Sequence, residues 1–345
     1  MISMLSFVLA LGSVAQAQDV VNGSEESGFP AAVALGADLN GFQISACSGS
    51  LITPRVILTA AHCGGDIPLE MVLDAGMAFF GRDLASADES IGFEDLMVHP
   101  DYVELSSGGG VPGEDYWDSL GKNDVALLVL EEEAAAQPVW FEVDDLEAIA
   151  LGEEVTSVGF GVTSSAGQGS GVKRSAVLEV DTISDMFLIS YSSSNPNSAN
   201  VCSGDSGGPQ YHFDGEKWTQ WTVHSWADQD CTSMSGSTRT DVVAEWILDN
   251  LEDIYGTRDR CEMWGVYGDG NCDEDCDEPD PDCSEEEVDS EEGDTAEGGF
   301  ITDTADESDS KSGCACSTAD APPAGLGLLA LVGLVGWRRR SDRVQ

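Results

Sequence analysis

The sequence is poor in basic residues. Its 345 residues include 14 Lys and Arg against 64 Asp and Glu, which gives a formal net charge of −50 at pH 7. Proteins that bind nucleic acid hold the phosphates with Lys and Arg, so nucleic acid is excluded as a partner. Attachment to an anionic membrane through a basic patch is excluded for the same reason. Histidine is also scarce, with four residues, but 41% of the chain is hydrophobic, which is enough to build a folded core.

The N-terminus has the pattern of an export signal. An apolar stretch is followed by Ala15-Gln16-Ala17. This small-x-small pattern is typical of signal-peptidase cleavage, so we predict a signal peptide over residues 1–17. We therefore expect an exported protein, located extracellularly or at the cell surface or outer envelope.

The C-terminus carries a second apolar run. Ala321–Trp337 is 17 residues long, at the short limit for a membrane helix, and arginines follow it directly. With Cys314 and Cys316 before it, the segment 314–345 resembles the MYXO-CTERM sorting tag of myxobacteria. The resemblance implies attachment to the membrane or cell surface, and a plain transmembrane anchor is the alternative. Residues 284–313 hold 12 acidic residues and few large apolar ones, which predicts a disordered acidic linker.

The body of the chain has the pattern of an all-β domain. Short apolar runs such as 125–130 and 155–160 are rich in β-branched residues and are separated by Gly, Ser, Asn and Asp. Repeated strands with turns between them predict a β-barrel or sandwich. The segment 242–251 differs, because its apolar residues fall at helical spacing and predict one amphipathic helix that closes the domain.

Three segments carry residues for nucleophilic catalysis. They are Thr-Ala-Ala-His-Cys at 59–63, Asn-Asp-Val-Ala-Leu-Leu at 123–128 and Cys-Ser-Gly-Asp-Ser-Gly-Gly-Pro at 202–209. A Ser hydroxyl becomes a nucleophile when a base takes its proton, and the base needs an acidic partner to fix its tautomer. His62, Asp124 and Ser206 can supply these three groups. The glycines around Ser206 leave backbone N–H groups free to stabilise an oxyanion.

In this order, the three segments resemble the chymotrypsin/trypsin family of serine endopeptidases, over about residues 20–256. The resemblance implies two six-stranded antiparallel β-barrels with the active site between them, and peptide hydrolysis through an acyl-enzyme. It makes His62 the general base, Asp124 its partner and Ser206 the nucleophile, with Gly204 and Ser206 as the oxyanion hole. The implied partner is a protein or peptide substrate, catalysis requires no cofactor, and we expect a monomeric protease domain.

The resemblance extends to cysteines and to a maturation signal. It implies disulfides between Cys47 and Cys63 and between Cys202 and Cys231. Residues 20–23, Val-Val-Asn-Gly, are similar to the mature N-terminus of the family. That similarity implies an ion pair between the freed amine of Val20 and Asp205. Residues 18–19 would then be a short propeptide, and the protein would be made as an inactive zymogen.

The resemblance implies that the residue six before the nucleophile, Asn200 in this sequence, forms the floor of the primary substrate pocket. Trypsin-like enzymes have Asp there, so the uncharged Asn200 argues against Arg or Lys selectivity. The resemblance assigns the rest of the substrate-binding wall to Ser225, Trp226, Ala227, Gly236 and Ser237. We expect a small to medium uncharged side chain before the cleaved bond. No motif gives a role to the three other histidines, which we interpret as structural or surface residues: His99, His212 and His224.

A cysteine-rich acidic module is predicted at residues 257–283. Its four cysteines allow three disulfide pairings. Asp269, Asn271 and Asp273 follow the opening of a calcium loop, but Glu274 stands where an EF-hand needs Gly. A calcium-binding knot and an acidic disulfide spacer are the two interpretations left open. For the whole chain, a catalytically inactive homologue acting as a binding module and a structural surface protein remain the alternative classes.

Overall fold

The computed structural model describes residues 21–39, 41–64, 67–104, 116–118, 120–193, 199–274 and 276–283. The predicted signal peptide, propeptide, acidic linker and sorting tag lie outside these residues. Within the described part, no helix is both long and apolar enough to cross a bilayer. The apolar run Ala321–Trp337 is outside it as well.

The first half of the described chain is a closed six-stranded antiparallel barrel with the strand order β2-β3-β4-β7-β6-β5. Val33, Leu51 and Ile57 have no exposed surface and lie in its apolar core. The elements of this half are β1 (Ser24–Glu25), β2 (Ala32–Asp38), β3 (Gln43–Thr53), β4 (Val56–Thr59), α1 (Leu69–Ala75), β5 (Gly76–Phe80), β6 (Glu89–Val98) and β7 (Ala126–Leu130).

The second half is an eight-stranded antiparallel sheet with the order β1-β9-β8-β12-β13-β14-β11-β10. Its strands are β8 (Glu154–Gly159), β9 (Arg174–Glu179), β10 (Thr182–Ile183), β11 (Phe187–Tyr191), β12 (Pro209–Phe213), β13 (Trp218–Ala227) and β14 (Met234–Arg239). A second closed six-stranded barrel is not among the pairings of the described residues and stays a prediction. The two ends of the sheet are joined through the chain, because β9 pairs with β8 and only two residues separate β9 from β10, which pairs with β11.

The predicted closing helix is present as α2 (Ala244–Tyr255), preceded by a 3₁₀ turn over Asp241–Val243. Ile247 and Leu251 are fully buried and share a core cluster with Val125 of the first half. Full burial of side chains of this size is worth about 1.5–3 kcal/mol each. The helix thus fixes the chain beside Asp124, at the start of β7.

The cysteine-rich segment is packed against the β halves. It contains α3 (Arg260–Trp264) and two disulfides, Cys261–Cys276 and Cys272–Cys283. Met263 joins the core cluster that contains α2, and the Trp264 indole N–H donates to the Ile52 carbonyl over 2.9 Å. The segment therefore forms part of the same compact unit as the two β halves.

Candidate active site

The predicted base, His62, lies in the first half, directly after a buried strand. Strand β4 is buried along its whole length and leads into a 3₁₀ turn over Ala61–Cys63 that carries His62. Cys63 forms a disulfide with Cys47 of β3, with a Cα–Cα distance of 6.1 Å, and this is the pairing that the resemblance implied. The turn is therefore held on both sides, which restricts the positions open to the imidazole.

Asp124 binds His62 through both carboxylate oxygens. Its Oδ2 lies 2.7 Å from His62 Nδ1, and its Oδ1 accepts the His62 backbone N–H over 3.0 Å. The carboxylate has no exposed surface, so it needs donors around it. A third donor comes from the second half, where the Ser225 hydroxyl donates to Oδ2 over 2.6 Å. These contacts place the proton on Nδ1 and leave Nε2 as the nitrogen that can accept a proton.

Ser206 lies in a tight turn that packs against the first half. Gly204 and Gly207 flank it with φ values of +93° and +79°, which side-chain-bearing residues rarely adopt. A Cβ atom on Gly207 would also overlap Thr59 and Ser48. Ser48 clamps the turn twice, because its N–H donates to the Ser206 carbonyl over 2.8 Å and its hydroxyl donates to the Gly204 carbonyl over 2.8 Å.

The turn leaves two backbone donors for an oxyanion. The N–H of Asp205 donates to Cys202 O over 3.0 Å, and the N–H of Gly207 donates to His224 O over 2.8 Å. Across the described chain, the N–H groups of Gly204 and Ser206 have no such acceptor. Preorganised N–H groups of this kind stabilise the charge that develops on a carbonyl oxygen under attack.

The Asp205 carboxylate is buried behind this turn, with 1% of its surface exposed. Burial raises its pKa to about 6, although N–H bonds from Cys202 (2.9 Å) and Gly161 (2.8 Å) act in the opposite direction. A Cβ atom on Gly161 would lie 2.6 Å from the Asp205 carboxyl carbon, so a side chain at this position would displace the carboxylate. The expected partner of Asp205, the amine of Val20, lies outside the described residues.

A cavity of about 400 Å³ opens beside Ser206. Ser225, Trp226 and Ala227 line it, as expected from the sequence. The other predicted wall residues lie behind its surface. Gly236 lies under the Trp226 ring, and Asn200 donates its amide to the Met234 carbonyl over 3.1 Å.

The lining also contains residues without a predicted role in substrate binding. His224 and Asp228 lie on it, as does Ser203 next to the nucleophile turn. Ser237, predicted as wall, instead contacts His224 Nδ1 at 3.0 Å. The second predicted disulfide, Cys202–Cys231, is present. It joins the segment that leads to the Ser206 turn to the loop at Cys231 that lines the cavity.

The carboxylates of the cysteine-rich segment are bound by its own backbone. Asp280 accepts the N–H of Asp273 over 2.8 Å, and Asp269 accepts the N–H of Asn271 over 2.8 Å. In the described ranges, the one group close enough to share a metal ion is Cys47, His62 and Cys63. The two cysteines of that group form a disulfide, so it does not bind a metal.

The chain matches known proteins over the part that carries this site. The family model described as Trypsin matches residues 22–247. A relative named trypsin from Saccharopolyspora erythraea is 26% identical, over 47% of this chain and 69% of its own length. The CLIP domain-containing serine protease B10 of Anopheles gambiae is 27% identical over 59% of this chain and 61% of its own length. The phenoloxidase-activating factor 1 of Holotrichia diomphalia is 26% identical over 57% and 60%, respectively. Since the family model covers well over half of the chain and both β halves, the protein belongs to the trypsin family of serine proteases.

Proposed function

We propose that this protein is an exported serine endopeptidase that cleaves protein or peptide substrates through the triad His62, Asp124 and Ser206. The observation that carries the proposal is the double contact between Asp124 and His62 beside the clamped turn of Ser206. Asp124 holds the imidazole with its proton on Nδ1, so that Nε2 accepts the Ser206 proton as the hydroxyl attacks the scissile carbonyl.

The chemistry then proceeds through an acyl-enzyme. The carbonyl carbon bonds to Ser206 Oγ, and the N–H groups of Gly204 and Ser206 stabilise the oxyanion. His62 returns the proton to the leaving amine as the peptide bond breaks. A water molecule, activated by the same base, releases the acyl group and restores Ser206. This sequence requires no cofactor, and any calcium would serve the cysteine-rich segment instead.

We further propose that cleavage after Asp19 activates the enzyme. The buried carboxylate of Asp205 is costly without a cation, and the freed amine of Val20 would supply one. In support of this step, the Val21 carbonyl accepts the N–H of Asn200, five residues before Asp205, over 3.0 Å. The C-terminal tag would hold the mature enzyme at the membrane or cell surface, and the protease domain would act as a monomer.

The experiment is active-site labelling of the full chain with a fluorophosphonate probe. We expect labelling of the secreted protein once its N-terminus is Val20, and none of the Ser206→Ala variant. N-terminal sequencing of the labelled protein checks the activation step, and an active enzyme that begins at Gln18 would contradict it. A folded protein with a Val20 terminus that takes up no probe would instead favour an inactive homologue that acts as a binding module.

A further inference from the structure

Two side chains that line the cavity beside Ser206, those of His224 and Trp226, have a ring nitrogen without a hydrogen-bond partner among the described residues. His224 lies on β13, is 1% exposed and lines the cavity. Its Nδ1 contacts the Ser237 hydroxyl of the neighbouring strand β14 at 3.0 Å. Its Nε2 is buried and has no hydrogen-bond partner within the part of the chain that the structure describes. Buried polar atoms are nearly always paired, so this nitrogen requires an explanation.

We propose that His224 determines specificity in this cavity and selects an acidic side chain, Glu or Asp, directly before the cleaved bond. The inference rests on the proposed function, because it assigns a substrate class to the same active site. It replaces the uncharged side chain expected from the sequence with a carboxylate. In this arrangement the Ser237 hydroxyl donates to Nδ1, and the Nε2–H donates to a carboxylate oxygen of the substrate.

The surroundings of the His224 ring favour this hydrogen bond to a substrate carboxylate. Burial lowers the pKa of His224 to about 3, so the imidazole is neutral while no anion is beside it. A carboxylate that enters the cavity favours the protonated ring and supplies its counter-ion. A substrate ammonium or guanidinium group offers no acceptor to an Nε2–H and would repel any positive charge on the ring.

The acidic residue in the cavity lining is already bound by its own loop. Asp228 Oδ1 accepts backbone N–H groups from Thr232, Ser233 and Met234 at 2.8 to 3.0 Å. It also lies 3.3 Å from the Asn200 amide nitrogen. Although burial acts to raise its pKa, these N–H groups bring the pKa below its ordinary value. Asp228 therefore stabilises the loop, and its charge is compensated without a basic substrate.

A separate feature of the sequence has the same chemistry. The residue before the predicted mature N-terminus is Asp19, so the Asp19–Val20 bond has an acidic side chain on its N-terminal side. An enzyme that selects Glu or Asp would cut this bond in other copies of its own precursor. The cavity and the maturation site would then be matched, and activation would need no second protease.

The test is a set of peptides, identical except for Glu, Asp, Gln, Leu or Arg before the cleaved bond. They are given to the mature full-length enzyme, and its active fraction is counted with the fluorophosphonate probe. We expect kcat/KM for Glu or Asp to exceed that for Gln by about 100-fold, because a site built around a charged partner rejects the neutral isostere. In His224→Val the ratio of Glu to Leu cleavage should fall by at least about 50-fold. The matched control is His212→Val, since His212 stacks on Trp221 outside the cavity and its loss should leave the ratio unchanged.

The outcomes separate the two proposals. An enzyme that takes up the probe but prefers Leu, Gln or Arg overturns the role of His224, even if the His224→Val variant does not fold. A folded Val20 form that takes up no probe overturns the proposed function itself. A second arm uses Ser206→Ala precursor as the substrate of the active enzyme. We expect cleavage before Val20 in this precursor and at least about 50-fold slower cleavage when it also carries Asp19→Leu. Equal rates would overturn the match between cavity and maturation site.

Discussion

The two β halves of the enzyme bury different kinds of side chain. The core of the closed barrel is apolar, with residues such as Val33, Leu51 and Ile57. The second sheet buries many polar side chains, among them Gln210, Gln220, Thr222, His224, Ser235, Ser237, Thr238, Arg239 and Thr240. Several of these side chains have a buried polar atom without a hydrogen-bond partner among the described residues. The first half is thus a rigid support for His62 and Asp124, whereas the second half holds the nucleophile turn and a polar cavity.

The proposed active site lies at the interface between the two β halves. Asp124 belongs to the first half, yet it accepts a hydrogen bond from Ser225 of the second. The Ser50 and Tyr211 hydroxyl groups, also from different halves, lie 2.8 Å apart and are both buried. The two halves are thus joined by polar contacts beside the triad residues and by shared apolar clusters, such as Ala32 with Val158 and Tyr211.

The largest expected effect comes from the carboxylate at this joint. Asp124→Asn presents an amide to His62, which favours the wrong tautomer and removes the charge that stabilises the imidazolium. We expect kcat to fall by about 10⁴-fold with little change in the melting temperature. Steady-state kinetics at saturating peptide, with circular dichroism on the same samples, measure both quantities.

The contribution of the second half to this carboxylate is tested by Ser225→Ala. The variant removes one charge-assisted hydrogen bond and leaves both His62 contacts, so the loss in kcat should be about 10- to 100-fold. A loss as large as that of Asp124→Asn would mean that the second half, and not the first, sets the geometry of the acid. The first half would then not be the part that positions Asp124.

The next effect concerns Asp205, on the second side of the joint. While residue 20 is in a peptide bond, burial holds the pKa of this carboxyl near 6, above its ordinary value of 3.8. Between these pH values the folded precursor keeps a proton that the unfolded chain has released, so precursor stability must fall as pH rises from about 4 to 6. A shift of this size corresponds to about 3 kcal/mol. Urea unfolding of Ser206→Ala precursor at several pH values measures it.

Two comparisons isolate this effect from the other carboxylates. The same protein beginning at Val20 supplies an amine to Asp205, so it should lack this particular fall in stability. Asp205→Asn precursor removes the titrating group and should lack it too. If precursor and trimmed protein follow the same pH curve, the amine of Val20 does not reach Asp205 and the zymogen mechanism is contradicted.

The sequence predicted the apolar strands of both halves better than the strands that bury polar residues. Short apolar runs such as 125–130 became strands within one residue, because a buried strand leaves an unbroken hydrophobic signal. The second sheet buries polar residues, so its interior positions resemble surface positions in the sequence. His224 illustrates this, since the register of β13 shifts between His224 and Trp226 and strict alternation fails there. Strands β1 and β10 leave no recognisable pattern in the sequence, because each is two residues long.

Removal of the disulfides should have a smaller effect, and one that differs between the two halves. Cys47–Cys63 closes a separation of 16 residues in the first half, and Cys202–Cys231 closes one of 29 at the cavity. Replacing either pair by Ala should lower the free energy of unfolding by about 3 kcal/mol. Only loss of Cys202–Cys231 should also reduce the ratio of Glu to Leu cleavage, by about tenfold, because it frees the loop that lines the cavity. Thermal unfolding and the peptide set measure the two quantities, and an equal loss of selectivity in both variants would contradict the division.

The smallest effect tests whether the cavity or the whole surface governs the approach of substrate. The surface field of a chain with net charge −50 repels an acidic peptide, whereas the contact with His224 acts over a few ångströms inside the cavity. Salt screens the distant charges and leaves the buried contact largely intact. Raising NaCl from ~0.02 to ~0.5 M should therefore increase kcat/KM for the Glu peptide by about threefold through KM, and change the Leu peptide by less than about 1.5-fold. A decrease for the Glu peptide would mean that its carboxylate meets an exposed cation instead of a buried histidine, which would move the specificity element out of the polar core of the second half.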